Sequence, residues 1–249
     1  MWSFNALCDE FLVSSRLFFK LELMPSRESA LHFFEQVRKR YPTMTRFRRR
    51  EDGGLVLEDK AEVEGASRVL RMGPDSLRFG TYAAESAEDV TQYANTVLKL
   101  APTALTFSEL DIDQIEVVLT FDLEYEGNHD ELVANTLFPN HPLFAGPREF
   151  GERIIECQPA IGFTVSEDCA TQAYVDVKSR TNTFEVRSGE YERTPISVHV
   201  SLRRYWDGEK LEDLTRVHAE LLKHAEEIAM QRVVPGIVQP LAAAIASRH

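Results

Sequence analysis

The sequence predicts an α+β protein in which antiparallel sheets carry helices on one face. Two observations support this fold class. Many segments alternate apolar and polar residues with a period of two, and few of these strand-like segments are separated by helices. Regular alternation of strands and helices would instead predict a parallel sheet. The order of elements is compatible with ferredoxin-like or helix-grip-like layers, and it ends in a long helix.

The first predicted elements are a strand and a helix. Residues 11–24 alternate apolar and polar side chains, which indicates a half-buried strand. Pro25 and Ser26 end this strand, and Ser26 is a suitable N-cap for the next helix. That helix is predicted over residues 27–41, because its apolar residues recur at helical spacing.

Two hairpins are predicted next. The turn sequences Asp52-Gly53-Gly54 and Gly73-Pro74-Asp75 each separate two short strand-like segments. The four strands are predicted over residues 44–51, 54–60, 67–72 and 76–82. A helix over residues 87–101 follows, with Ser86 as its cap and Pro102 as its end.

The clearest strand pattern covers residues 114–126, where apolar side chains occupy one face and mainly acidic side chains the other. This division is typical of an antiparallel sheet with one solvated face. Asn128 and Glu131 then resemble a capping box, which predicts that a helix covers residues 129–137.

A segment rich in proline and glycine, residues 138–151, divides the chain. We predict an N-terminal α+β part over residues 1–138, a connector over 139–151, and a C-terminal part over 152–249. The strands of the C-terminal part are predicted over residues 152–165, 170–178, 182–187 and 195–206. A long amphipathic helix over residues 209–233 follows, and Pro235-Gly236 is expected to separate it from a short helix over 237–247.

Composition limits the possible partners and location. The chain carries 28 basic and 40 acidic residues, a formal net charge of -12, which disfavours nucleic-acid binding because such a chain repels polyanions. Three cysteines without close spacing fit buried thiols in a reducing compartment. No secretory signal or membrane-spanning run is recognised in the sequence, so a cytoplasmic location without membrane contact is expected.

A basic run is the first candidate site. Seven cations occur within thirteen residues that contain no acid. These cations are Arg38, Lys39, Arg40, Arg46, Arg48, Arg49 and Arg50. Arg46, Arg48, Arg49 and Arg50 are candidates for binding an anion or an acidic partner. The alternative is a solvated helix end and strand face, which charge runs more often represent.

An acidic cluster is the second candidate site. Glu124, Glu126, His129 and Asp130 have the side-chain types that bind a divalent cation. The alternating pattern and helix capping also explain these residues without a metal. The sequence contains none of the short motifs for phosphate loops, dinucleotide binding, serine nucleophiles or zinc proteases.

The sequence therefore predicts a non-catalytic protein that binds a protein partner or assembles with copies of itself through a basic patch on an acidic body. No cofactor is expected. A metal-dependent enzyme using the cluster at residues 124–130 is one alternative. A carrier of a small apolar ligand beneath the long C-terminal helix is the other.

Overall fold

A computed structural model describes residues 3–60, 66–144, 152–206 and 213–248. Within these ranges the chain forms nine strands in one sheet. The strands are β1 (Glu10–Phe19), β2 (Met44–Arg49), β3 (Leu55–Asp59), β4 (Ser67–Met72), β5 (Ser76–Tyr82), β6 (Ile112–Glu126), β7 (Ala160–Thr164), β8 (Thr171–Lys178) and β9 (Arg193–Tyr205). The main helices are α1 (Arg27–Arg40), α2 (Ala87–Leu105), α3 (His129–Leu137), α4 (Thr183–Ser188), α5 (Leu214–Ile228) and α6 (Gln239–Ala246).

The strand order is β2-β3-β4-β5-β1-β6-β9-β8-β7, and every neighbouring pair is antiparallel. This confirms the predicted α+β class with an antiparallel sheet. The two halves follow the same course. Each begins with a central strand, continues through a helix and an antiparallel meander, and returns to pair with its first strand before a long helix.

One sheet and one hydrophobic core connect the two predicted parts of the chain. β6 pairs with the whole length of β9, from Gln114 opposite Tyr205 to Glu126 opposite Arg193. A single cluster of buried side chains includes Leu17 and Phe79 from the first part and Val200 and Leu221 from the second. The connector predicted over residues 139–151 falls partly outside the described residues.

The helix N-caps follow the predicted local signals. The backbone N–H groups of Ser29, Asp89 and Glu131 donate to the side chains of Ser26, Ser86 and Asn128, respectively. Each bond satisfies a backbone donor that has no partner within the helix itself. Short polar side chains before an apolar stripe were therefore sufficient to predict where α1, α2 and α3 begin.

The C-terminal helix differs from its prediction. Instead of a break at Pro235-Gly236, one helix continues from Leu214 to Ala246. Its middle part, Ala229–Val238, is a π-helix that contains Pro235. Proline lacks the N–H that an α-helix needs, and a wider turn can accommodate this loss without ending the helix. The apolar stripe of α5 packs on β6 and β9.

This helix, Leu214–Ala246, is also long and apolar enough to cross a membrane by length and composition alone. About one third of its most apolar part is buried inside the protein. Core helices of soluble proteins can have the same length and composition, so this helix is weak evidence for membrane contact.

Three other local predictions are wrong. Residues 182–187, expected as a strand, form α4, because Asn182 and Glu185 make a complete capping box. The strand expected over residues 152–165 is only β7, and α2 continues beyond Pro102 to Leu105. Among the cysteines, Cys157 is buried and Cys8 half-buried, whereas Cys169 is exposed.

Gly80 lies where β5 and β1 approach closely. A Cβ atom at Gly80 would be 2.7 Å from the Val13 carbonyl oxygen and 3.1 Å from the Ser14 Cα atom. We expect Gly80→Ala to lower the free energy of unfolding by roughly 1–3 kcal/mol, because the strands must separate to admit the methyl group. Chemical denaturation measures this effect.

Gly236→Ala is the matched control, since a Cβ atom there would meet no heavy atom within 4 Å. The control should keep or raise stability by up to about 1 kcal/mol, because alanine favours helix more than glycine does. Equal losses in both variants would contradict the close approach at Gly80.

An arginine groove as the candidate functional site

The candidate site lies on the face of the sheet opposite the one on which α2, α5 and α6 pack, and we call it the helix-free face with respect to the helix contacts of the described ranges. Side chains alternate across a strand, so Val13 and Leu17 of β1 enter the core while Ser14 and Arg16 lie on the opposite face. The strand registers then show which residues of neighbouring strands share that face. Helices cover the other face, where the hydrophobic cluster lies.

Three arginines lie side by side on this face. Arg71 of β4 is directly opposite Arg78 of β5, and Arg78 is directly opposite Arg16 of β1. We call Arg71, Arg78 and Arg16 the arginine row. Like charges at directly opposed positions of an antiparallel pair destabilise the sheet, so this row is an unfavourable arrangement for the isolated protein.

The outer members of the arginine row have acidic neighbours. Arg71 donates to Asp52. Arg16 donates to the Ser76 hydroxyl at 2.9 Å and lies 3.7 Å from Asp75. Arg78, the central member, forms no ion pair with any acid of the described ranges. The row therefore contains a cation, exposed to solvent, whose charge no neighbour in those ranges pairs.

The row separates two adjoining cavities of about 330 and 380 Å³, and both are lined by Arg71 and Arg78. Six arginines and two acids line the larger cavity. They are Arg46, Arg48, Arg50, Arg68, Arg71, Arg78, Glu58 and Asp59. The two cavities and the row together form the arginine groove, a local basic surface on a chain of net charge -12.

Three of the four arginines predicted as binding residues line this groove. Arg46, Arg48 and Arg50 do so, and Arg48 donates to Glu58. Arg49 lies with Phe47 on the opposite side of β2, because side chains alternate along a strand. It lines a separate cavity with Phe47 next to α1.

The sequence did not identify Arg16, Arg71 or Arg78 as site residues. Each occupies a polar position of a predicted strand, but they are separated by up to 62 positions along the chain. Only the strand register places them next to each other. The available signal was the recurrence of arginine at polar strand positions, which by itself does not say which strands pair.

The predicted metal ligands lie in different environments. Glu124 forms an ion pair with Arg193 at 3.4 Å, and Glu126 is exposed. His129 and Asp130 are buried at the start of α3. Across the described ranges, no three His, Cys, Asp or Glu side chains are grouped so that they could hold a metal ion. The structure thus gives the metal-enzyme hypothesis no support.

Hydrogen bonds explain the burial of His129 and Asp130. A ring nitrogen of His129 lies 3.2 Å from the Tyr125 carbonyl oxygen, and burial lowers the pKa of His129 below its usual value. Asp130 accepts hydrogen bonds from the Cys157 backbone N–H at 2.7 Å and from the Ser179 hydroxyl at 2.8 Å. These contacts attach α3 to the chain segments that enter and leave the β7–β8 hairpin.

His199 is the histidine on the helix-free face. Its Nδ1 atom lies 3.0 Å from an oxygen of Asp176. Burial opposes ionisation of Asp176, but the hydrogen bond and charge of His199 prevail and lower the pKa of Asp176. Within the described ranges, the structure gives His199 no hydrogen bond to a serine or cysteine, so no hydroxyl or thiol there is hydrogen-bonded to this histidine.

Comparisons with known proteins do not assign a function. No family model matches the chain, and a search of curated proteins finds no match. The arginine groove is therefore interpreted from its own geometry and charge.

Proposed function

We propose that the protein is a non-catalytic binding protein that docks an acidic protein partner in the arginine groove. The observation that supports this function is the arginine row, in which Arg78 lies between Arg71 and Arg16 and forms no ion pair with an acid among the described residues. Two carboxylates of a partner would offset the repulsion within the row and pair with guanidinium groups in two-point hydrogen bonds.

The size of the groove favours a row of acidic side chains over a small anion. From β2 to β1 the groove crosses four strand spacings, which is roughly 19 Å at about 4.8 Å per spacing. One carboxylate or phosphate group would contact only a small part of the groove. An acidic segment or surface of a protein can place several carboxylates along it.

The net charge of the chain favours a protein over a nucleic acid as the occupant of the groove. The overall charge of -12 would repel a long nucleic acid, whereas a protein segment can be acidic over a short length only.

Binding of an oligoglutamate peptide, followed by fluorescence anisotropy at low salt, tests this function. Arg78→Gln should weaken binding roughly tenfold or more, because a hydrogen bond to a charged group contributes about 1.5–3 kcal/mol. The affinity of the wild-type protein should also fall as salt is added, since exposed charges are screened.

Lys223→Gln is the control, because it removes the same charge from an exposed side chain of α5, which packs on the other face of the sheet. This variant should bind the peptide as the wild-type protein does. Equal affinities of the Arg78 and Lys223 variants, or a wild-type protein that does not bind, would overturn the proposed function.

A further inference from the structure

We propose that copies of this chain join edge to edge, with β7 of one copy pairing with β2 of the next. These two strands are the opposite edges of the sheet. The pairing would continue the antiparallel sheet from one molecule into its neighbour. The β2 edge adjoins the arginine groove, since Arg46, Arg48 and Arg50 also line the groove. Edge pairing nevertheless does not require the proposed function, because it joins the backbones of two edge strands and does not involve the arginine row.

Within the described ranges, no strand pairs with the outer side of β7. Val177 donates to the Pro159 carbonyl and Val165 to the Thr171 carbonyl, so these pairs exchange hydrogen bonds with β8. Because bonding alternates along an antiparallel pair, the N–H and C=O groups of Ala160, Gly162 and Thr164 point away from β8. Within the described ranges they have no backbone partner.

The residues of β7 are themselves uncharged, and the charged group next to them is the Arg232 guanidinium, which lies 5.7 Å from the Phe163 ring centroid. No charged residue occurs between Glu156 and Glu167. Ile161 is 62% exposed and Val165 is 37% exposed, although both are apolar. Edge strands of monomeric proteins are commonly protected by charged side chains that discourage pairing. β7 lacks this protection along its length and is therefore a suitable surface for strand addition.

Charge indicates which strand would pair with β7. The exposed acids Glu156, Glu167 and Asp168 flank it. β2, at the other edge, contains Arg46, Arg48 and Arg49, and Arg50 follows directly. Two β7 edges in antiparallel pairing would bring acids close to acids, and two β2 edges would bring arginines close to arginines. Pairing of β7 with β2 brings opposite charges together.

This pairing is head to tail, so each added molecule again offers one free β7 and one free β2. Such a heterologous contact gives open chains of molecules unless its rotation closes a ring. Attraction between the edges depends on charge and should weaken with salt. The Debye length is about 30 Å at 0.01 M salt and about 3 Å at 1 M salt.

Analytical ultracentrifugation of the full chain at low and high salt tests the proposal with two variants at one exposed position. The wild-type protein should form species larger than a monomer at low salt and dissociate at high salt. Ile161→Lys puts a cation opposite the basic β2 edge and should be monomeric at both salt concentrations. Ile161→Glu removes the same apolar side chain but adds an anion, so it should still assemble at low salt.

A monomeric wild-type protein at low salt would overturn the proposal. So would equal behaviour of the lysine and glutamate variants, because that result indicates an apolar contact or pairing between two β7 edges. Arg78→Gln should leave assembly unchanged, since Arg78 lies on β5, away from both edges. The assembly experiment can therefore fail while peptide binding in the groove remains, and the reverse is equally detectable.

Discussion

Acidification from neutral pH to about pH 4 is expected to lower the free energy of unfolding by about 3 kcal/mol through His218 alone. His218 of α5 is fully buried, and one of its ring nitrogens lies 2.8 Å from the Ser15 hydroxyl of β1. Burial lowers the pKa of His218 from 6.5 to about 4. The other ring nitrogen has no hydrogen-bond partner among the described residues.

Acidification lowers the stability because the unfolded chain binds a proton at His218 more readily than the folded protein does. Below pH 6.5 the unfolded chain binds a proton at this histidine, whereas the folded protein keeps the ring neutral until about pH 4. The contribution of the neutral His218 ring to the free energy of unfolding is therefore complete above pH 6.5, the pKa of histidine in the unfolded chain. This contribution decreases as the pH falls. It stops changing below about pH 4, where both states are protonated.

The double variant Ser15→Ala/His218→Leu should remove this part of the pH dependence. Replacing both members of a buried polar pair with apolar groups leaves no unsatisfied atom, so stability at neutral pH should change little. Urea unfolding at a series of pH values measures the slope. A double variant with the same slope as the wild-type protein between about pH 6.5 and pH 4 would show that His218 is not the titrating group.

Asp130→Ala is expected to lower the free energy of unfolding by roughly 2–4 kcal/mol, because a buried hydrogen-bond donor loses its acceptor. Asp130 has no exposed surface and accepts from the Cys157 backbone N–H and the Ser179 hydroxyl. Both donors belong to chain segments next to the β7–β8 hairpin. The hairpin should therefore also lose hydrogen-exchange protection in this variant.

Asp130→Asn keeps one acceptor oxygen and should cost less than Asp130→Ala. Glu131→Ala is the neighbouring control, since Glu131 is exposed and such surface changes usually stay within about 0.5 kcal/mol. Urea unfolding measures the free energy of unfolding of these three variants and of the wild-type protein. Similar losses for Ala at positions 130 and 131 would contradict the role of Asp130 in attaching this segment.

Much of the fold could be predicted because local patterns determine it. Period-two alternation located β1, β6 and β9, and short polar caps located the starts of α1 to α3. The prediction of secondary structure from local patterns was wrong where the same residues are compatible with two structures. Asn182 and Glu185 can flank a strand or cap a helix, and Pro235 can end a helix or enter a π-helical segment.

The candidate site could be predicted only in part, since strand register does not follow from local sequence. Arg46, Arg48 and Arg50 were visible as a dense run, but their relation to Arg71 and Arg78 depends on which strands are neighbours. The contact between Ser15 and His218 spans 203 positions for the same reason. When strand pairing brings residues together, their spacing along the sequence does not indicate that they are neighbours.

The most direct test of the proposed function is an NMR titration of isotope-labelled protein with oligoglutamate, followed at the arginine side-chain N–H signals. The arginine row is expected to respond as one unit, so the signals of Arg16, Arg71 and Arg78 should shift together and saturate at the same peptide concentration. Shifts limited to cations outside the groove, such as Lys39 and Arg40 at the end of α1, would contradict docking on the helix-free face.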